Sequence, residues 1–317
     1  MNFPRRGSEN PAFQPTLDQL LFADTETIPT QRVDILTEMT EANAEACKEA
    51  IAAVEPPKSL KKQETIDAWM KNDYPEKVQA IREEHEAALK EQIHKTCLDG
   101  GLGQLVVISL AAGDEEPCNL WDSQWMHPGY ESWLLSELNK ALATRMRHHR
   151  GQTLVGHGIG FDRRMIRQRG IVLGIPVHPI FTRPVKPWEN DVVFDTMTEW
   201  TGDACSYITQ DKLCKALGIS GKGSDLEDGE YIDGSMVWDF IQRGEIRKVA
   251  IYCGGDVIRA RRLYRRMRGM DLPNPADYFN PGRRLVDTED RLPQPMPAKR
   301  DAVAARADDG FDDGGPY

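Results

Sequence analysis

Apolar residues fall along this chain first in short strand-like runs and later at helical spacings. Leu20-Leu21-Phe22-Ala23 is a compact apolar run ending in acids, the pattern of a buried strand that delivers polar groups at its tip. Gly101 to Ala112, with LVVISLAA inside it, predicts a second strand. TLVGHGIGF mixes β-branched residues with glycines and passes into DRRMIRQRG, a helix predicted to end on Gly170. In KLCKALGI the apolar spacing between Leu213 and Leu217 predicts one helical face, closed by Gly218. Ile246, Val249, Ala250, Cys253, Val257 and Ala260 share one face of a long last helix. On that helix Tyr252 and Asp256 stand one turn apart and point at one site. Between them Gly254-Gly255 costs roughly 1 kcal/mol per glycine relative to alanine. The pair implies either close approach of a substrate backbone or a packing compromise.

From about Gln31 to His94 the pattern changes to polar and helix-prone. EANAEACKEAIAAVE and EKVQAIREEHEAALKEQIHK are two amphipathic stretches broken at Pro56-Pro57. This segment reads as a helical insertion that caps the site, binds a partner or pads the fold. Past Pro273 the chain turns proline- and charge-rich, and from about Pro293 to Tyr317 its composition is that of a disordered segment. The expected organisation is an N-terminal arm over 1–16, a domain over 17–272 with the insertion at 31–94, and a tail over 273–317.

Composition narrows the function classes. The chain has 317 residues and six scattered cysteines with no C-x-x-C pair, which argues against a zinc or disulfide framework and suits a reducing cytoplasm. No run of about 18 apolar residues is present to cross a membrane. MNFPRRGSENPAF lacks the apolar core of a signal peptide. A net charge of −10 sits awkwardly with a polyanionic substrate, but the basic residues are clustered. Arg145, Arg147 and Arg150 form one group, Arg163, Arg164, Arg167 and Arg169 a second, and Arg259 to Arg268 a third. The last two follow acidic positions, where they would neutralise phosphates or simply form solvated helix faces.

The chemistry concentrates in LLFADTETI, GHGIGFDRRMI and AIYCGGDVIRARRLY. They contribute Asp24 and Glu26, then Asp162, then Tyr252 and Asp256. Four carboxylates and a phenol on three separated segments are what a two-metal phosphodiester site needs. Hard divalent cations take oxygen ligands, and a pair about 3.5–4 Å apart stabilises both the attacking and the leaving oxygen.

These motifs, in this order, resemble the DEDD superfamily of 3′–5′ exonucleases, and within it the branch similar to the proofreading domains of family B DNA polymerases. Asp24-Thr25-Glu26 matches D-x-E, Phe161-Asp162 matches F-D, and Tyr252 to Asp256 matches Y-x-x-x-D, which marks the tyrosine subtype (DEDDy). The resemblance runs from about Leu20 to Arg268 and is closest between Val193 and Arg266. It departs at His157-Gly158-Ile159-Gly160, where many relatives carry an asparagine that supports substrate contacts.

The resemblance implies a ribonuclease H-like α/β fold, a mixed central sheet flanked by helices. It implies two Mg²⁺ or Mn²⁺ ions on Asp24, Glu26, Asp162 and Asp256, with Tyr252 orienting the attacking water. Thr25 would offer its backbone to the terminal nucleotide, Phe161 would stack on a base or pack in the core, the latter being favoured, and Asp195 would be structural. The activity implied is release of nucleoside 5′-monophosphates from 3′ ends of single-stranded DNA, in proofreading or repair. RNA trimming is the alternative within the superfamily, and a non-catalytic module holding a nucleic-acid end or a partner is the alternative outside it. The end, DDGFDDGGPY, loosely resembles the acidic tip of bacterial single-stranded-DNA-binding proteins. It would offer a replication or repair protein a docking point, as would the helical insertion; a solvated acidic tail is the simpler reading.

Overall fold

A computed structural model of the chain describes residues 15–146, 153–186, 191–202, 206–223, 225–226, 228–270 and 286–287. Most of the expected arm (all but 15–16), most of the tail, and Arg147 and Arg150 lie outside the described residues.

The centre is a mixed sheet of β1 (Leu20–Ile28), β2 (Gln104–Ala112), β3 (Cys118–Leu120), β4 (Thr153–Gly156) and β5 (Val193–Asp195). A two-residue strand, β6 (Val286–Asp287), pairs with β3 at one edge, and the order is β5-β4-β1-β2-β3-β6. β1 runs antiparallel to β2 and parallel to β4, and β4 parallel to β5. This mixed sheet with flanking helices is the α/β architecture expected of a ribonuclease H-like domain.

Strand alternation sorts β1 between two faces. Leu20 and Phe22 share a core cluster with Val257 and Tyr264 of α9 (Ile246–Met267), and Phe22 meets the Tyr264 ring edge-on at 6.1 Å. Leu21 and Ala23 belong to the larger core with residues of α3 (Tyr130–Met146) and α4 (Gly160–Leu173). Continuing the alternation, Asp24 and Glu26 fall on the α9 face.

Two sequence expectations are corrected. β1 does not end at its acids: it continues to Ile28, with Asp24 opposite Ser109 and Glu26 opposite Val107, and a bulge follows Glu26. The acids are nevertheless uncovered on one side, because β4 pairs only with Leu20, Leu21 and Phe22. The helix after β4 does not end on Gly170. It runs to Leu173 and is closed by Gly174, whose φ of 67° is the left-handed cap conformation. Gly170 serves a different need: a Cβ there would lie 2.4 Å from Val177 Cγ2, so it lets the returning chain pass close.

The insertion forms α1 (Val33–Ala52) and α2 (Gln63–Lys95), packed together as a hairpin between β1 and β2. No residue of α1 is buried, and of α2 only Trp69 is, against Tyr74 of the same helix. The hairpin base is closed by the Thr30 N–H donating to Thr96 Oγ1 at 2.8 Å and the Thr27 hydroxyl donating to the Cys97 carbonyl. The remaining helices are short: α5 (Pro179–Thr182), α6 (Thr196–Thr201), α7 (Gln210–Ala216) and α8 (Val237–Gln242). No described helix is long and apolar enough to cross a membrane.

Candidate active site

α9 lies against β1, β2 and β3 and turns Tyr252, Cys253 and Asp256 toward the acids of β1. Its two glycines explain how it comes so near. A Cβ on Gly254 would stand 2.8 Å from Asn119 Oδ1, and one on Gly255 would stand 2.5 Å from Asp225 Oδ1. Of the two readings of this pair, packing of α9 against its neighbours accounts for both residues.

Asp162, in the first turn of α4, is buried and held from β1. The Thr25 backbone N–H donates to its Oδ1 at 2.9 Å and the Thr25 hydroxyl donates to the same oxygen at 2.7 Å. Thr25 is therefore engaged with the carboxylate beside it, and that N–H is not free for a nucleotide. Phe161 is half-buried against the main core, with the Arg164 guanidinium 5.6 Å from its ring centre.

The four carboxylates differ in their compensation. Asp256 Oδ1 accepts from Arg259 Nε and Nη2 at 2.9 and 2.8 Å, and its Oδ2 accepts from Lys222 Nζ at 3.1 Å. Lys222 also donates to the Tyr252 hydroxyl. Arg259 in turn grips Asp225 at 2.8 and 2.9 Å. Asp24 and Glu26 have much less. Asp24 receives only the Cys253 thiol, 3.3 Å from its Oδ2, among the described residues. Glu26 is 8% exposed, and its carboxylate accepts no hydrogen bond among the described residues.

The electrostatic consequence follows. Burial, then Asp256, Asp162 and Glu26, push the Asp24 carboxyl well above the usual carboxylate range. Burial and Asp256 do the same to Glu26, with Lys222 offsetting part. Burial raises Asp162 to about 7 although Thr25 favours its charged form. Burial, then Asp256, Glu26 and Asp24, raise the Tyr252 phenol, so it stays neutral. Burial disfavours the Lys222 ammonium, but Asp256 outweighs this and raises it. A largely buried cluster of carboxylates short of positive charge fits a hard divalent cation. The oxygens of Asp24 and Glu26 lie within 4.8 Å of each other and of Cys253 Sγ, close enough to share one ion.

Asp24, Tyr252 and Asp256 open onto a cleft of about 490 Å³, also lined by His157, Tyr207, Lys222 and Tyr231. His157 has both ring nitrogens engaged, Nε2 donating to the Ile208 carbonyl and Nδ1 facing Thr196 Oγ1, each at 2.9 Å. Burial lowers its pKa. Gly158, where many relatives carry asparagine, has a φ of 69°. That left-handed backbone suits glycine and, among other residues, asparagine best. Asp195 caps α6 by accepting from Met197 N–H at 2.9 Å and also accepts from Gly158 N–H at 2.8 Å.

Sequence reasoning did not single out Lys222 or Asp225, and it read Arg259 only as part of a basic cluster, not as the partner of Asp256. Lys222 and Asp225 sit in the loop between α7 and α8, and no periodicity announces a loop residue that folds back 30 positions onto Tyr252. Arg259 carried a usable signal, since it is one helical turn beyond Asp256.

Four arginines of α9, Arg259, Arg261, Arg262 and Arg265, are buried, whereas Arg247 and Arg266 are exposed. Besides Arg259, Arg261 donates to the carbonyls of Gly113 and Glu115, and Arg265 pairs with Asp114 at 2.7 Å. They tie α9 to the β2–β3 turn. On α4, Arg169 is buried in a two-point bond to Glu131, whereas Arg164 and Arg167 are exposed.

A family model described as a predicted 3′–5′ exonuclease related to the exonuclease domain of PolB matches residues 104–278, more than half of the chain. Among curated proteins and among solved structures no match is found. Asp24 and Glu26 precede the matched stretch; it is the pairing of β1 with β2 and β4 that brings them to Asp162, Tyr252 and Asp256.

Proposed function

The chain belongs to the predicted 3′–5′ exonucleases related to the exonuclease domain of PolB, and from that premise we propose that it is a DEDDy enzyme releasing nucleoside 5′-monophosphates from 3′ ends of single-stranded DNA. The observation that carries this reading is the convergence of β1, α4 and α9 on one buried carboxylate cluster in which Glu26 has no hydrogen-bond donor among the described residues.

Asp24, Glu26, Asp162 and Asp256 are the residues to hold two Mg²⁺ or Mn²⁺ ions, which when bound supply Lewis-acid stabilisation of the attacking and leaving oxygens. Thr25 positions Asp162 by its two hydrogen bonds. Lys222 donates to the Tyr252 oxygen, which leaves the phenolic hydrogen for an oxygen in the cleft; that is how Tyr252 orients a water. Its raised pKa excludes it as the base. Arg259 and Lys222 fix Asp256 in a defined orientation. Arg164 and Arg167, exposed one turn apart on α4, contact the phosphate backbone of the incoming strand. Acting on ends made by other enzymes, the protein serves proofreading or repair in trans.

The test is the direction and product of cleavage. A 5′-labelled single-stranded DNA incubated with Mg²⁺ or Mn²⁺ should give a ladder shortening from the 3′ end, with nucleoside 5′-monophosphates by mass spectrometry. Chelator should abolish it, and a matched RNA should be degraded more slowly. A faster RNA ladder would transfer the substrate to RNA. Intact oligonucleotide that is bound under both metals would overturn the enzyme reading.

A further inference from the structure

The oxygen ligands proposed above leave one polar group of the cluster unused, the Cys253 thiol. Cys253 is fully buried on α9, immediately after Tyr252 and one turn before Asp256. Its Sγ is 3.3 Å from Asp24 Oδ2, and a ligand atom from each of Asp24, Glu26 and Cys253 lies within 4.8 Å of the others. Glu26, nine-tenths buried, has no hydrogen-bond donor among the described residues, so no protein group competes for its carboxylate where the thiol and Asp24 meet.

Donor chemistry decides what that ligand can be. Carboxylates alone favour Mg²⁺ or Mn²⁺, whereas a thiolate draws softer ions such as Zn²⁺, Co²⁺ or Cd²⁺. With Zn–S near 2.3 Å and Zn–O near 2.1 Å, neighbouring donors of a tetrahedral site stand about 3.6 Å apart. The sulfur–oxygen separation of Cys253 and Asp24 is already close to that.

We propose that Asp24, Glu26 and Cys253 form a mixed oxygen–sulfur site that captures a thiophilic divalent cation of the Zn²⁺ class in place of the hard cation of nuclease action. On capture the S–H bond breaks, the proton leaves to solvent and a sulfur–metal bond forms, with no change of oxidation state. The fourth position faces the cleft through Asp24, which lines it. A soft cation seated there occupies two of the proposed catalytic carboxylates, so the site would make the enzyme sensitive to trace zinc. The inference rests on the reading above only for the identity of the displaced ion.

The metal-free protein should be titrated with Cd²⁺ in the absence of nucleic acid while sulfur-to-cadmium charge-transfer absorption is followed in the ultraviolet. The wild type should show a band saturating at one Cd²⁺ per chain, displaced by Zn²⁺ and not by equal Mg²⁺. Cys253→Ser should lack the band, and Glu26→Gln should reach it only at Cd²⁺ concentrations at least tenfold higher. A wild type that binds Cd²⁺ without the band, or a band that persists in Cys253→Ser, overturns the proposal. If Cys253→Ser does not fold, Glu26→Gln decides: an unchanged titration overturns the site. Because no cleavage is read, an absent nuclease activity sinks the functional proposal without touching this one, and cleavage with Mg²⁺ by a protein lacking the band does the reverse.

Discussion

Asp256 and Asp24 are four-carboxylate neighbours in opposite situations. Asp256 is balanced by Arg259 and Lys222, while Asp24 faces three other carboxylates with only a thiol as donor. Replacing Asp24 should therefore relieve repulsion in the metal-free protein. Asp24→Asn is expected to raise Tm in chelator, by roughly 2–4 °C per kcal/mol of repulsion removed. It should also abolish the further rise on adding Mn²⁺; a thermal melt with and without metal reads both. An unchanged Mn²⁺ response would remove Asp24 from the ligand set. Lys222→Ala removes a charge-assisted bond of about 1.5–3 kcal/mol from Tyr252 and Asp256. It should lower kcat by about ten- to a hundredfold with little change in KM, and a loss confined to KM would place Lys222 in substrate grip instead. The residues that converge here were legible because their spacing is local: D-x-E on one strand, Tyr252 and Asp256 one helical turn apart. Lys222 was not, since its approach depends on a loop whose course only the packed structure defines.

At the scale of elements, the glycines of α9 are set by proximity. A Cβ on Gly255 would meet Asp225 Oδ1, itself fixed by Arg259, so Gly255→Ala should destabilise the protein by about 1–3 kcal/mol in chemical denaturation despite the better helix propensity of alanine. Greater stability would mean that the 225 loop yields freely. The hairpin is the contrary case. Its base is closed from Thr30 to Thr96, and its side chains are scarcely buried. Replacing 33–93 by a short glycine–serine linker should leave one cooperative unfolding transition and the Mn²⁺-induced rise in Tm. Loss of either would show that the hairpin supports the site. The two amphipathic stretches fall largely within α1 and α2 on either side of Pro56-Pro57, but α2 begins earlier, at Gln63, and runs through Pro75. Gly170 looks like a stop in the sequence, but it is a glycine because the returning segment at Val177 needs the space of its missing side chain. Gly174, with a positive φ, is the true stop.

For the whole molecule, a net charge of −10 is compatible with a nucleic-acid enzyme because so much of it is organised. Three arginines of α9 hold the fold or the site rather than the solvent, and no counting of charges in the sequence separates those from Arg164 and Arg167. The clustered acids also make stability depend on pH. Asp162 has its folded pKa raised to about 7 from 3.8, so the folded protein binds that proton more tightly than the unfolded chain. Its contribution is full below about pH 4 and is lost as pH rises through about 7. Metal-free protein should thus lose Tm between pH 5 and pH 8, and Asp162→Asn should flatten that slope. A variant as steep as the wild type would contradict the assignment.

If β1, α4 and α9 build one metal-dependent nuclease centre, the rate at which a 5′-labelled single-stranded DNA is shortened with Mg²⁺ must differ between wild type and Asp256→Asn. Loss of metal-assisted stabilisation worth several kcal/mol predicts a drop of at least about 10²-fold with the variant still folded. Equal rates for the two proteins would mean that Asp256 is no part of such a centre.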